Sequence, residues 1–428
     1  MMGIRKEFPF SMNPTYTNEV ASKKNANCRG CAKNSLQAVW EMPKSVYGDL
    51  FCGDRDKALS QEKHDLTLAI CANCSLLQLL KETDIEVQYD HYLYQTKITF
   101  GLSEFYEDLS EKLSFLFQKE RKYALDIGSN DGSFLKSLSE KGFEVLGIEP
   151  AKNPAEVANA NGIETMREYF DSSLAKKILK HRDKFDLVTI NYALANVPNI
   201  ADVLLGTELL LKDDGIVSVV TGYHPDQFAV NMFDYVGHDH LTYLTVHDLD
   251  RLAQIVGLEL INVVRVEHKG GSLVATFSKN NSLRKKSNSV HQLRQREMWQ
   301  KCNHPEFISD LRLRVESQKS ILRNFLKKNA ISTMHGIGAS ISTTYLANYL
   351  EIDNLIDKLF DDDSRKWHSF SPGSGIEVLP LDAIPISTNK QSILLAWQHT
   401  SRILSRLRDL EFHGALVIPF PFFRELYL

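Results

Sequence analysis

Leu125-Asp126-Ile127-Gly128-Ser129-Asn130-Asp131-Gly132-Ser133-Phe134-Leu135 is the stretch that decides the fold. An apolar run over residues 123–127 stops at a glycine loop and resumes with helical spacing, which reads as strand, tight turn and helix. Without a Cβ, Gly128 and Gly132 let backbone N–H groups close on a ligand at a helix N-terminus. The spacing is D-x-G-x-x-x-G, not the G-x-G-x-x-G of a dinucleotide site, and either alone is a weak signal.

The next apolar run, Phe143–Ile148, ends in Glu149. An acid closing the second strand of an open α/β sheet is placed to take both hydroxyls of a ribose. Together these residues resemble the core of an S-adenosylmethionine (SAM) methyltransferase. A doubly wound domain whose loop binds nothing is the competing reading. From residue 122 to 278 strands and helices alternate, with strands expected at 123–127, 143–148, 163–165, 185–190 and 216–220 and a pair at 258–266 and 272–278 around Gly270-Gly271. The alternation implies a parallel sheet covered on both faces, with the strand pair as an antiparallel edge. Ligands of such sheets lie beyond the carboxyl ends of the strands. The cofactor-binding residues expected are therefore Asp126, Gly128, Ser129, Asn130, Asp131, Gly132, Glu149, Glu168 and Asn191.

At 428 residues the chain exceeds one ordinary core, and about three domains are expected. Four segments follow: a metal-binding domain over 20–95, the SAM domain over 96–280, a helical connector over 281–330 and a smaller Rossmann-like unit over 331–428. The fold class is α/β. The last unit restarts the alternation at a turn, Gly336-Ile337-Gly338-Ala339-Ser340, which reads equally as a phosphate site or as close strand–helix packing. A net charge of −4 and a pI near 6.4 argue against a general nucleic-acid binder. No apolar run approaches a membrane span, and residues 1–15 lack a signal-peptide core, so a cytoplasmic location without membrane attachment is expected, as a monomer or homodimer.

Cys28-Arg29-Gly30-Cys31 and Cys71-Ala72-Asn73-Cys74 form two C-x-x-C units. In a reduced compartment such pairs bind metal more often than they form disulfides, and two turns of thiolates complete a tetrahedron about one structural zinc. A redox C-x-x-C would need a thioredoxin-like context that is missing, and Cys52 could replace one ligand.

The chemistry is expected at the carboxyl end of the fifth strand, where Tyr223-His224 is followed by Val236-Gly237-His238-Asp239-His240-Leu241-Thr242-Tyr243. If that segment is extended, His238 and His240 face one side and Asp239 the other. Methyl transfer is an in-line displacement that needs a nucleophile. Oxygen and nitrogen need to lose only one proton, whereas carbon needs an adjacent carbonyl and an enolate. A histidine suits that proton abstraction, with Asp239 fixing its tautomer or acting as base itself. The H-x-H could instead bind a metal, or merely cap and pack a loop.

C-R-G-C with C-A-N-C, then Y-D-H-Y-L-Y, L-D-I-G-S-N-D-G-S-F-L, G-I-E-P-A, F-D-Y-V-G-H-D-H-L-T-Y-L, G-G-S-L, G-I-G-A-S and S-P-G-S-G-I together resemble the three-domain, zinc-containing sugar C-methyltransferases. The resemblance runs from about Cys28 to the C-terminus. It implies a nucleotide-linked 4-keto-deoxysugar as substrate, enclosed by the zinc, SAM and Rossmann-like domains. It further implies that a histidine removes the proton beside the ketone and that the enolate carbon takes the methyl group. His240 matches the family base and Asp239 an adjacent glutamate. His268, Gly271 and Ser272 match a segment near the sugar nucleotide, and Tyr92 or Tyr94 would contribute from the zinc domain; from their place after the fifth strand, His238 is expected among the catalytic residues and Tyr223 and His224 beside the substrate. This chain departs from the family at Gly237, often a tyrosine, at Asn196, often a histidine, at Thr221, where an acid is usual, and at Lys269, which splits His268 from the paired glycines. Either His238 or His224 compensates, or the acceptor differs, which leaves an O- or N-methyltransferase as the alternative.

Overall fold

Residues 123–127 put Tyr123, Leu125 and Ile127 on one face and Ala124, with the single acid Asp126, on the other, so the strand they form must be covered on both sides. The computed structural model, which describes residues 27–81, 96, 101–387 and 390–428, places it in the middle of a layered α/β domain. In chain order the strands begin with β1 (Leu36–Ser45), β2 (His64–Cys71) and β3 (Leu77–Leu79). Next come β4 (Lys122–Ile127), β5 (Phe143–Ile148), β6 (Thr165–Met166), β7 (Phe185–Asn191) and β8 (Leu211–Gly222). The two-residue β9 (Thr242–Tyr243) precedes the pair β10 (Leu258–Val266) and β11 (Ser272–Lys279). Two helices, Asn288–Trp299 and Pro305–Lys328, then lead to β12 (Met334–Ile337), β13 (Ile356–Asp361), β14 (Glu377–Pro380), β15 (Gln391–Leu394), β16 (Ala415–Ile418) and β17 (Arg424–Tyr427).

The central sheet has the order β10-β11-β8-β7-β4-β5-β6. Only β11 runs against the others, lodged between β8 and β10 rather than forming the edge itself. Every residue of β7 is buried, as a central parallel strand requires. Strand order reverses between β4 and β7, so their carboxyl ends open the crevice in which such sheets hold ligands. The C-terminal sheet, β14-β13-β12-β15-β16-β17, repeats the device with an antiparallel edge at β17. Its reversal lies between β12 and β15, where a Cβ on Gly338 would stand 2.4 Å from that of Ala396. Close packing alone therefore accounts for a glycine there.

A third sheet, β1-β2-β3-β9, takes its last strand from the segment just after His240. The apolar cores cross the boundaries expected from sequence. Trp40, Met42, Leu66 and Leu68 share one core with Tyr345, Tyr349 and Phe360 of the C-terminal unit. Cys28, Cys71, Cys74 and Leu76 join the core of the central sheet. The connector is helical and also contributes to a core: Ile308, Leu311, Val315 and Leu322 of its long helix are buried. Among the described residues no helix is long and apolar enough to cross a membrane.

Candidate functional site

The three sheets enclose a cleft of about 2270 Å³, walled by the carboxyl ends of the central strands, by Asp49 of the N-terminal part and by Ser340, Tyr345 and Asp361 of the C-terminal unit. An ordinary ligand pocket holds about 300–1,000 Å³. The cleft therefore has room for two ligands side by side.

At one end the loop after β4 turns on Gly128 and Gly132, at φ +74° and +76°. A Cβ on Gly128 would lie 2.6 Å from that of Ala193, so no larger residue fits the close approach of β4 and β7. Glu149 accepts from Asn130 N at 2.9 Å and Ala151 N at 2.8 Å, which fixes its carboxylate at the rim while each oxygen keeps a second lone pair. Asp126 accepts from Thr189 Oγ1 at 2.6 Å and Asn191 Nδ2 at 3.1 Å. Burial pushes both carboxyls up to about 7, against the pull of these donors. Ser129 Oγ and Asn191 Oδ1 are buried without a hydrogen-bond partner among the described residues. Unpaired polar atoms around a glycine loop and a rim carboxylate fit the ribose and amino-acid ends of SAM. Asn130 and Glu168 line the same wall, with Tyr169, Phe170 and Tyr106, which the sequence reading missed.

Two expected cofactor residues stand back from the cleft. Asp131 accepts from Ser133 N and Oγ at 3.1 and 2.6 Å, at the start of the helix Ser133–Glu140. Gly132 packs against Ala158 and Ile163.

Across the cleft, residues 237–240 form a turn closed by His240 N donating to Gly237 O at 3.1 Å, not an extended chain. The expected alternation is thereby replaced: Asp239 and His240 both face the cleft, and His238 turns into the protein. His240 Nδ1 lies 3.4 Å from Asp239 Oδ2, and its ring stacks on Tyr235 at 5.2 Å and 25°. Burial opposes ionisation of Asp239, but the neighbouring His240 outweighs it and holds the carboxyl below its ordinary range. With Nδ1 toward the carboxylate, Nε2 is the edge of His240 left for an acceptor.

His238 is fully buried, with Nδ1 3.2 Å from Tyr345 Oη and its ring among Tyr47, His64 and Tyr345. Burial pushes it down to about 4, which keeps it neutral and away from the compensating acid–base role expected of it. Tyr223 is likewise withdrawn, its hydroxyl donating to Glu297 Oε1 at 2.9 Å. His224 reaches the cleft only from beneath, packed on Phe228 and Phe307 and pushed down to about 4 by burial. Such an imidazole is a poor proton acceptor near neutral pH. His268 lines the cleft with Nδ1 3.5 Å from Tyr192 Oη, whereas Ser272 is buried beneath it and donates to His268 O at 2.8 Å. Gly271 packs against Asp226 and does not reach the cleft wall. Asn196, Tyr243, Asp239 and Nδ1 of His240 each present a buried polar atom without a hydrogen-bond partner among the described residues, so His240 and Asp239 stand at ion-pair distance rather than hydrogen-bonded. Tyr92 and Tyr94 lie outside the described residues.

The four cysteines converge as the spacing implies. Sγ atoms of Cys28 and Cys74 are 3.5 Å apart, those of Cys31 and Cys71 3.6 Å, and all four lie within 4.8 Å of one another. Four thiolates at about 2.3 Å from one zinc stand about 3.8 Å apart, so the cluster fits a tetrahedral ion closely. Gly30 N donates to Cys28 Sγ at 3.3 Å, and Arg251 Nη1 reaches Gly30 O at 3.0 Å, which seats the turn on the central domain. Cys52 is remote from the cluster, paired instead with Phe370.

Sheet order, glycine loop and rim carboxylate define a SAM-dependent methyltransferase, and comparison with known proteins agrees. Residues 101–263 match the family described as methyltransferase domain, and residues 267–421 match the C-methyltransferase C-terminal domain. The chain is homologous to the C-methyltransferase NovU of Streptomyces niveus, at 24% identity over 399 residues, which are 92% of this chain and 95% of that protein. The ubiquinone biosynthesis O-methyltransferase of Aeromonas salmonicida (strain A449) is 28% identical over 162 residues, 35% of this chain and 67% of its own. Among solved structures, the PH0226 protein of Pyrococcus horikoshii OT3 overlaps 46% of this chain and 100% of its own at 15% identity, with a TM-score of 0.38.

Proposed function

We propose that the protein transfers a methyl group from SAM to a carbon atom of a nucleotide-diphosphate-linked 4-keto-deoxysugar. The observation that carries this reading is the His240–Asp239 pair facing, across one cleft, the glycine loop and Glu149. When bound, SAM supplies an electrophilic methyl group on a sulfonium. His240 Nε2 takes the proton from the carbon beside the ketone, and Asp239 supports the imidazolium through Nδ1. Bound SAM would supply that methyl group to the resulting enolate carbon, the sulfur–methyl bond breaking to leave S-adenosylhomocysteine. Glu149 and Asp126 orient the cofactor, and the cleft's size suits an acceptor carrying a nucleotide. The four cysteines hold one structural zinc whose coordination is closed, so it takes no part in the reaction.

Departures at two positions favour a second reading, methylation of oxygen or nitrogen. Asn196 places an amide in the cleft wall, and Gly237 has no room for a side chain. No enolate is then required. The test is NMR of products formed from SAM carrying a carbon-13 methyl and a panel of 4-keto-6-deoxy nucleotide sugars. A carbon-bound methyl supports the first reading and a heteroatom-bound methyl the second. Intact SAM binding with no product from any acceptor would overturn both for this substrate class.

A further inference from the structure

The turn that carries Asp239 and His240 is held from outside its own domain by one phenol. Tyr345, on the helix Ile341–Leu350 of the C-terminal unit, is 3% exposed and places its ring directly over Gly237. A Cβ at position 237 would lie 2.4 Å from Tyr345 Cε2, so glycine there is the condition for the ring's position. Its oxygen accepts from His238 N at 3.1 Å and from Gly48 N of the N-terminal part at 3.3 Å. With two N–H groups pointing at it, the hydroxyl can spend its own proton only as a donor, and the acceptor within reach is His238 Nδ1 at 3.2 Å. That assignment leaves the proton of the neutral His238 ring on Nε2. The phenol thus joins all three parts of the chain at one atom, one residue ahead of the carboxylate that faces His240.

We infer that Tyr345 is a positioning residue for the proton-abstracting pair: it locks the 237–240 turn through the backbone and ring of His238 and thereby sets the angle at which Asp239 and His240 meet the acceptor. His238 then has a scaffolding role, as the acceptor of the phenol's hydrogen bond. The groups facing this lock are Tyr47 and His64 from the N-terminal sheet, Asp49 beside Gly48, and Asp239. The inference rests on the carbon-methylation reading, because its first readout is proton abstraction.

The experiment measures, for the full-length protein, the rate at which the hydrogen beside the acceptor's ketone exchanges with heavy water in the absence of SAM. Methyl-transfer kcat and KM, SAM affinity by calorimetry and the melting temperature are measured in parallel. For Tyr345→Phe, exchange and kcat should fall together, on the order of 10–100-fold, with SAM affinity and acceptor KM little changed. Because this variant can also lose stability, His238 is varied too. The amide oxygen of asparagine occupies nearly the place of Nδ1, so His238→Asn should retain most of the exchange rate while His238→Leu loses it. Unaltered exchange in Tyr345→Phe, or equal loss in His238→Asn and His238→Leu, overturns the inference. No exchange in the unaltered protein on any keto sugar would instead defeat the carbon-methylation reading on which it depends.

Discussion

The carboxylate oxygen of Asp239 stands 3.4 Å from Nδ1 of His240, and both side chains face the cleft. A positioned general base contributes about 10²–10⁴ in rate, and that is the role proposed for His240. His240→Ala is expected to lower kcat by about that factor with SAM affinity preserved, and Asp239→Asn by a smaller one. Turnover retained in His240→Ala, measured with carbon-13 SAM, removes His240 from the base role.

Cofactor affinity should depend on pH through Asp126 and Glu149. Burial holds both carboxyls at about 7 in the free protein, so near pH 6 each carries a proton that a bound sulfonium disfavours. Binding then expels protons, and affinity rises with pH until it levels above about 7. Titration calorimetry should find SAM binding tightening between about pH 5.5 and 7.5, with a shallower slope for uncharged S-adenosylhomocysteine and for Glu149→Gln. A flat profile for SAM contradicts this account.

Glu297 makes the same kind of prediction for stability. Its buried carboxyl is raised to about 7 by desolvation, although Val246 N, His247 N and Tyr223 Oη donate to it. Unfolded, it ionises near 4.5. Below that value both states hold the proton and the contribution is complete; as pH rises to about 7 the unfolded state releases its proton first, and stability falls by about 2–3 kcal/mol. The melting temperature should therefore decline between about pH 5 and 7.5, less steeply in Glu297→Gln.

Removing metal should unfold the N-terminal part rather than abolish the chemistry directly. Purified protein is expected to carry about one zinc per chain, and Cys71→Ser should lower zinc content and melting temperature together. A folded, metal-free protein with unchanged stability is the outcome that defeats the zinc assignment.

Gly128→Ala would force a Cβ to 2.6 Å from Ala193 at φ +74°. Left-handed strain of about 1–2 kcal/mol combines with the clash, and SAM affinity should drop by about tenfold or more. Equal affinity for the two proteins, by calorimetry, would mean the loop adjusts.

Local spacing was enough to read several elements. The run before Gly128, the acid after residues 143–148 and the paired cysteines are signals carried within a few residues, because strand periodicity, positive-φ turns and thiolate turns are local constraints. Residues 143–148 and 258–266 were read with the bounds they adopt. Elsewhere local signals were insufficient: β17 and the short β14 escaped because four-residue edge strands carry too little pattern. The placement of β11 between β8 and β10 depends on which strand supplies hydrogen-bond partners, which spacing along the chain does not encode.

The sequence by itself determined the parallel strands of the central sheet, the glycine loop after β4, the cysteine cluster and the region where the histidines gather. Only the tertiary structure decided which histidine faces the cleft. Gly237 through His240 would alternate sides if extended, but a phenol 107 residues further along the chain folds them into a turn that buries His238 and presents His240. That outcome depends on hydrogen bonds and van der Waals exclusion among Gly48, Gly237 and Tyr345, residues brought together only when the N-terminal and C-terminal cores merge.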